Sequence, residues 1–107
     1  MSNDLTVAKT ILEQMGGGGR LMALTDAHSF VGNENSFQFS LKSGARDGIN
    51  KVRIELTPMD VYRVSFYRIH GTQVTEISKH EDVYAEDLQN VFEQATGLYT
   101  TLMKREE

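Results

Sequence analysis

Arg53, Arg63 and Tyr67 are the residues whose types and spacing could most plainly do chemistry. Each stands next to an apolar residue in an alternating segment: Arg53 between Val52 and Ile54, Arg63 between Tyr62 and Val64, Tyr67 after Phe66. Alternation sends such residues to the face of a sheet opposite the apolar ones. Two guanidiniums for phosphates and one phenol ring for a base are the parts of a sheet-based single-strand binder. Lys51 and Lys42 would stand at its rim. Against this, one tyrosine is a thin platform, Glu55 lies among the bases, and the RNP motif is absent. The simpler account is a polar, solvated face. A third account makes this face, or an edge strand at 74–77, a contact between copies of the chain.

Other constellations carry less. Gly16 to Gly19, followed by Arg20, invite a phosphate-loop reading. Such loops follow a strand and open a helix. Here the pattern places the glycines after a helix and before a strand, as a helix stop and flexible link. His28, His70 and His80 do not pair at metal-ligand spacing, and there is no cysteine to assist them. They read as surface or loop histidines, although Glu81 and Asp82 beside His80 would favour its charged form. Asp26 and Asp60 fall in predicted loops, and Glu81, Asp82, Glu86 and Asp87 form a solvated cluster around a predicted helix start. General acid–base work needs a carboxyl in an apolar pocket, and the pattern buries none of these. No serine or threonine sits in a nucleophile motif such as Gly-x-Ser-x-Gly. The expectation is a protein that is not an enzyme, with no catalytic residues, no metal and no cofactor.

The elements that must position these residues follow from periodicity. Leu5, Ala8, Ile11, Leu12 and Met15 form one helical stripe, predicting a helix over 4–15, capped by Ser2, Asn3 or Asp4 and stopped at Gly16. Leu21 to Leu24 reads as a strand, and Phe30-Val31 as a strand or an anchor. Segments 37–41, 52–56 and 62–67 alternate with period two, the pattern of half-buried antiparallel strands. Pro58 to Asp60 and His70 to Thr72 are turns, and 42–50 is read as a mobile hairpin loop. Val74 and Ile77 are three apart on a fourth strand, so it carries a bulge or lies at an edge. A second helix is predicted over 83–96, with Tyr84, Leu88, Val91, Phe92 and Ala95 as its stripe. Asp82 would cap it, Gly97 would stop it, and Leu98 and Leu102 would extend the core. Together they predict an α+β, two-layer domain: a four- or five-stranded, mainly antiparallel meander with N- and C-terminal helices on one face.

Composition agrees with one such domain over residues 1–107, with 1–3 and 104–107 frayed. Hydrophobic residues are 39% and charged residues 24%, with one proline, which excludes a disordered segment. The absence of cysteine excludes disulfides and thiolate chemistry. No apolar run approaches the ~20 residues of a membrane span, and Met1 to Asp4 lacks a signal-peptide start. A cytoplasmic protein with no membrane partner is expected. Charge is uneven: residues 1–35 carry −2, residues 36–70 carry +3 and residues 71–107 carry −5, for a net −4. The basic middle and acidic end can attract each other within the chain or between copies. A net negative chain is a poor start for a duplex-DNA binder.

Several phrases have a wording of their own. Ala8 to Gly17, Leu56 to Tyr62, Val83 to Leu88 and Thr96 to Thr100 resemble small uncharacterised single-domain proteins encoded by bacteriophages and other mobile elements. The stretch 42–50 lies outside the resemblance. The resemblance implies a phage or prophage setting and carries over no activity and no site residue. The expected function is that of a non-catalytic accessory protein that binds a macromolecule, by self-association or through a host protein. The alternative is a single-stranded nucleic-acid binder using Arg53, Arg63 and Tyr67.

Overall fold

A computed structural model describes residues 5–42, 45–98 and 100. The three period-two segments form the middle of one five-stranded antiparallel sheet, with strands in chain order: β1 (Ala27–Gly32), β2 (Ser36–Leu41), β3 (Lys51–Leu56), β4 (Tyr62–His70) and β5 (Gln73–Val83). The register sets Phe39 opposite Val52 and Val52 opposite Phe66, with Phe37, Ile54 and Val64 forming the next row. Cross-strand partners share a face, so one side of the meander is apolar throughout. Among the described residues three α-helices join the sheet: α1 (Thr6–Gln14), α2 (Gly18–Thr25) and α3 (Leu88–Thr96).

The helices pack on the apolar face. Ile11 and Met15 at the end of α1, Leu21 of α2, and Leu88 and Phe92 of α3 join the inward strand residues in one core. Phe39 and Phe66 each meet Phe92, with ring centroids 6.0 and 6.4 Å apart, which ties β2 and β4 to α3. Helix α1 lies close over β1 at Gly32. A Cβ there would sit 2.8 Å from the Ala8 Cβ, so the contact requires a residue without a side chain. Tyr62 is buried, and its hydroxyl donates to Gln14 Oε1 at 2.8 Å, fixing α1 against β4.

Several sequence-based expectations are corrected. Leu21 to Leu24 is helical, not a strand. A short apolar run cannot be assigned by periodicity, and Leu, Met and Ala are strong helix formers. Leu21 and Thr25 turn inward one helical turn apart, and Thr25 Oγ1 donates to the Leu21 carbonyl at 2.6 Å. The glycines therefore join two helices: Gly16 and Gly17 turn with φ of +105° and +92°, and Gly18 opens α2.

The C-terminal helix begins five residues later than the pattern predicts. β5 continues to Val83, a short 3₁₀ turn covers Ala85–Asp87, and α3 opens at Leu88. Asp82 is a left-handed residue at the end of β5, not a cap, and Tyr84 is 57% exposed, outside the stripe. Within the predicted 42–50 loop, the described residues 45–50 are anchored: Ile49 belongs to the core, and Arg46 Nη1 donates to the Gln94 carbonyl at 2.7 Å. β5 is both an edge and bulged. Register slips between the Phe66–Ser78 and Tyr67–Glu76 pairs. Ile77 packs against the core while Val74 stays 62% exposed. Gly97 stops α3 in the left-handed conformation, as predicted. The predicted caps Ser2, Asn3 and Asp4, and Leu102, lie outside the described residues.

Candidate functional site

The sheet face away from the helices is built by the polar members of each alternation. β3 contributes Lys51, Arg53 and Glu55, and β4 contributes Arg63, Ser65, Tyr67 and Ile69. Register adds Val74, Glu76 and Lys79 from β5 beside Ile69, Tyr67 and Ser65. Arg53 and Tyr67 line one shallow depression of about 330 Å³, together with Gln38, Lys51, Ile69 and Val74. Arg63 does not line it. It stands further along β4 among carboxylates.

Those carboxylates decide what the arginines can do. Glu55 Oε1 lies 3.5 Å from Arg53 Nη1 and 3.4 Å from Arg63 Nη1. Arg63 Nε also donates to both Glu81 oxygens, at 3.0 and 3.2 Å. The hydrogen bond and charge of Glu81, with a further contribution from Glu55, hold the Arg63 guanidinium protonated even more firmly than usual. Four charges thus form a chain, Arg53–Glu55–Arg63–Glu81, that neutralises itself. The attraction between the basic middle and the acidic end operates here, inside the chain. Sequence reasoning placed Glu81 in a cluster at a helix start. Its role became visible only once β5 was seen to run to Val83, because no alternation marks 78–83.

The remaining candidates resolve into structural roles. Asp26, Asp47, Asp60 and Asp82 all have left-handed φ between 55° and 66°. Aspartate tolerates that region better than most residues, so these acids shape the backbone: Asp26, Asp47 and Asp60 in connections, and Asp82 at a register slip near the end of β5. Among the described residues one carboxylate lies in the core layer, and it went unpredicted. Glu93 is 6% exposed, and its Oε2 accepts from the Thr100 amide at 2.9 Å and the Thr100 hydroxyl at 2.8 Å. Gln89 Nε2 donates to the same hydroxyl. The carboxylate ties the chain after α3 back onto that helix. Glu93 directly follows Phe92 of the apolar stripe, and no spacing in the sequence singles it out.

His28, His70 and His80 stand on β1, β4 and β5. Among the described residues no group of three or more His, Asp or Glu could hold a metal ion. His80 packs edge-on to Phe66, with centroids 5.7 Å apart. Among the described residues no helix is long and apolar enough to cross a membrane. Comparison with family models, with curated proteins and with solved structures finds no match.

Proposed function

We propose that this chain is a non-catalytic binding protein that works by self-association through the uncovered sheet face. The observation that carries this reading is that every described helix packs on one side of the sheet while the other side keeps an apolar patch. Ile69 and Val74 are paired across β4 and β5 on that side, Tyr67 adjoins them, and Val74 is 62% exposed. The face is nearly balanced in charge, with Lys51, Arg53, Arg63 and Lys79 against Glu55, Glu76 and Glu81. A two-fold contact sets the same patch against itself, so a mixed, nearly neutral face suits it and a single-sign face would not. The face is preferred to the β5 edge. That edge is bulged and carries Glu76, Lys79, Glu81 and Asp82, all devices that oppose strand addition. The phage or prophage setting implied by the sequence phrases, with a cytoplasmic location, fits a small accessory protein of this kind.

Single-stranded nucleic acid is the second reading. It would require Arg53 and Arg63 to leave Glu55 and Glu81 for phosphates, and the loss of those ion pairs works against it.

Light scattering across the micromolar range tests the proposal. The expected result is a species heavier than the 12.0 kDa monomer, reduced to monomer by Val74→Lys. A monomer at every concentration overturns it. Fluorescence anisotropy with mixed-sequence single strands at low salt is expected to show no binding. Salt-sensitive binding lost in Tyr67→Ala would favour the second reading.

A further inference from the structure

We infer that the loop end of the sheet carries a binding site for a phosphate group, centred on Arg68. The site lies at the loop end of β4 and β5, and of the residues lining it only Ile69 also lines the outer-face depression. Arg68 lies two residues beyond Phe66 on β4, so it shares the helix-side face, at an end of the sheet where no residue of α1, α2 or α3 lines the depression. Its cross-strand partner is Thr75, and His70 pairs with Gln73 two residues on. A guanidinium, a hydroxyl, an imidazole and a side-chain amide thus share one side of a two-strand ribbon. With Gly48 and Asn50 they line a depression of about 440 Å³ that contains no carboxylate.

Arg68 is held in a way that Arg53 and Arg63 are not. Among the described residues no carboxylate lies within ion-pair distance of it, whereas both outer-face arginines are neutralised by glutamate. Its Nη1 donates instead to the Asp47 carbonyl at 3.3 Å. A backbone carbonyl orients a guanidinium without cancelling its charge. Gly48 provides the room for this. A Cβ at that position would sit 2.9 Å from Arg68 Cδ, and the residue has a φ of +72° that favours glycine. Asn50 steadies the strand beneath, accepting from the Ile69 amide at 2.8 Å and donating to the Ile69 carbonyl at 3.0 Å. The result is a positioned cation with guanidinium donors left over, set beside three further polar side chains. The planar fork of arginine matches the oxygens of phosphate and carboxylate alike. A phosphate monoester suits the site better than a carboxylate, because it brings up to two negative charges to the unneutralised guanidinium and three terminal oxygens to the neutral side chains around it.

The test is an amide NMR titration of the full chain with sodium phosphate, against sodium chloride at matched ionic strength and against sodium acetate. Saturable shifts are expected at Gly48 and along 68–75 with phosphate, with a much weaker response to acetate. Arg68→Gln should weaken phosphate binding by about tenfold or more, with the rest of the spectrum in place. Arg68→Lys, which keeps the charge and loses the fork, should fall between. Lys9→Gln, the same loss of charge on α1, should leave the affinity unchanged. Equal drift with chloride, or saturable shifts that survive Arg68→Gln, would overturn the site. An equal response to acetate would overturn its assignment to phosphate. The Arg68→Gln comparison separates the two proposals, because Arg68 lies on the face opposite the self-contact.

Discussion

On the helix side of the sheet, Phe37, Phe39, Val52, Ile54, Val64 and Phe66 are buried under three helices. On the other side, the same strands hold Lys51, Arg53, Glu55, Arg63 and Tyr67 half-buried, with none of the described helices over them. The two faces share one backbone and one set of ladder hydrogen bonds, so their difference belongs to the side chains. Burying a large apolar side chain contributes roughly 1.5–3 kcal/mol, whereas a surface ion pair contributes about 0–1 kcal/mol. The first face therefore holds the fold. The second is left to fix its own charges into a pattern that a partner can meet, which is the difference between stability and recognition in this molecule.

That contrast can be broken at several points. Phe39→Ala should have the largest effect, destabilising by about 3–5 kcal/mol, because the ring is fully buried and touches both Phe37 and Phe92. Denaturant melts measure this, and a loss no greater than that of Arg53→Ala would mean that the core has been assigned to the wrong face. Gly32→Ala comes next, at about 1–3 kcal/mol, since the added methyl meets Ala8 on α1 at 2.8 Å. Combining it with Ala8→Gly should recover part of the loss in the same melts.

Tyr62→Phe removes the hydrogen bond to Gln14 and should cost about 1 kcal/mol. It also carries a pH signature. Burial raises the Tyr62 hydroxyl pKa above its ordinary 10.0, with a smaller push from the charge of Asp60. The folded state thus favours the neutral phenol. Its stabilising contribution is complete below pH 10.0 and is lost as pH rises through the raised value. Alkaline melts of the native chain should show a decline that is shallower in Tyr62→Phe.

The smallest effects belong to the outer face. Arg53→Ala should change stability within about 0.5 kcal/mol. Arg63→Ala should lower the melting temperature slightly at low salt and not at high salt, since its partners are screened there. A large, salt-independent loss at Arg63 would show that the outer face also supports the fold.

Much of this arrangement was legible from residue order. Period-two alternation in 37–41, 52–56 and 62–67 determined the three central strands, their faces and the apolar side on which helices must sit. Helical spacing of Ala8, Ile11 and Met15, and of Leu88 and Phe92, determined which sides of the terminal helices face that sheet. These are local properties, because a side chain's direction in a strand or helix follows from the backbone repeat. Other features depend on residues far apart in the chain. Leu21 to Leu24 could not be assigned until the helix was seen packed beside β1, because four apolar residues in a row carry no period. Arg63 found Glu81 across 18 residues, and Arg46 found the Gln94 carbonyl across 48. Gly48 met Arg68 only where the connection after β2 folds against β4. Residue order named every arginine as a cation. Which of them would be neutralised, and which would stay open to a ligand, was settled by strand register and loop packing, because charge pairing acts over ångströms in space and not along the chain.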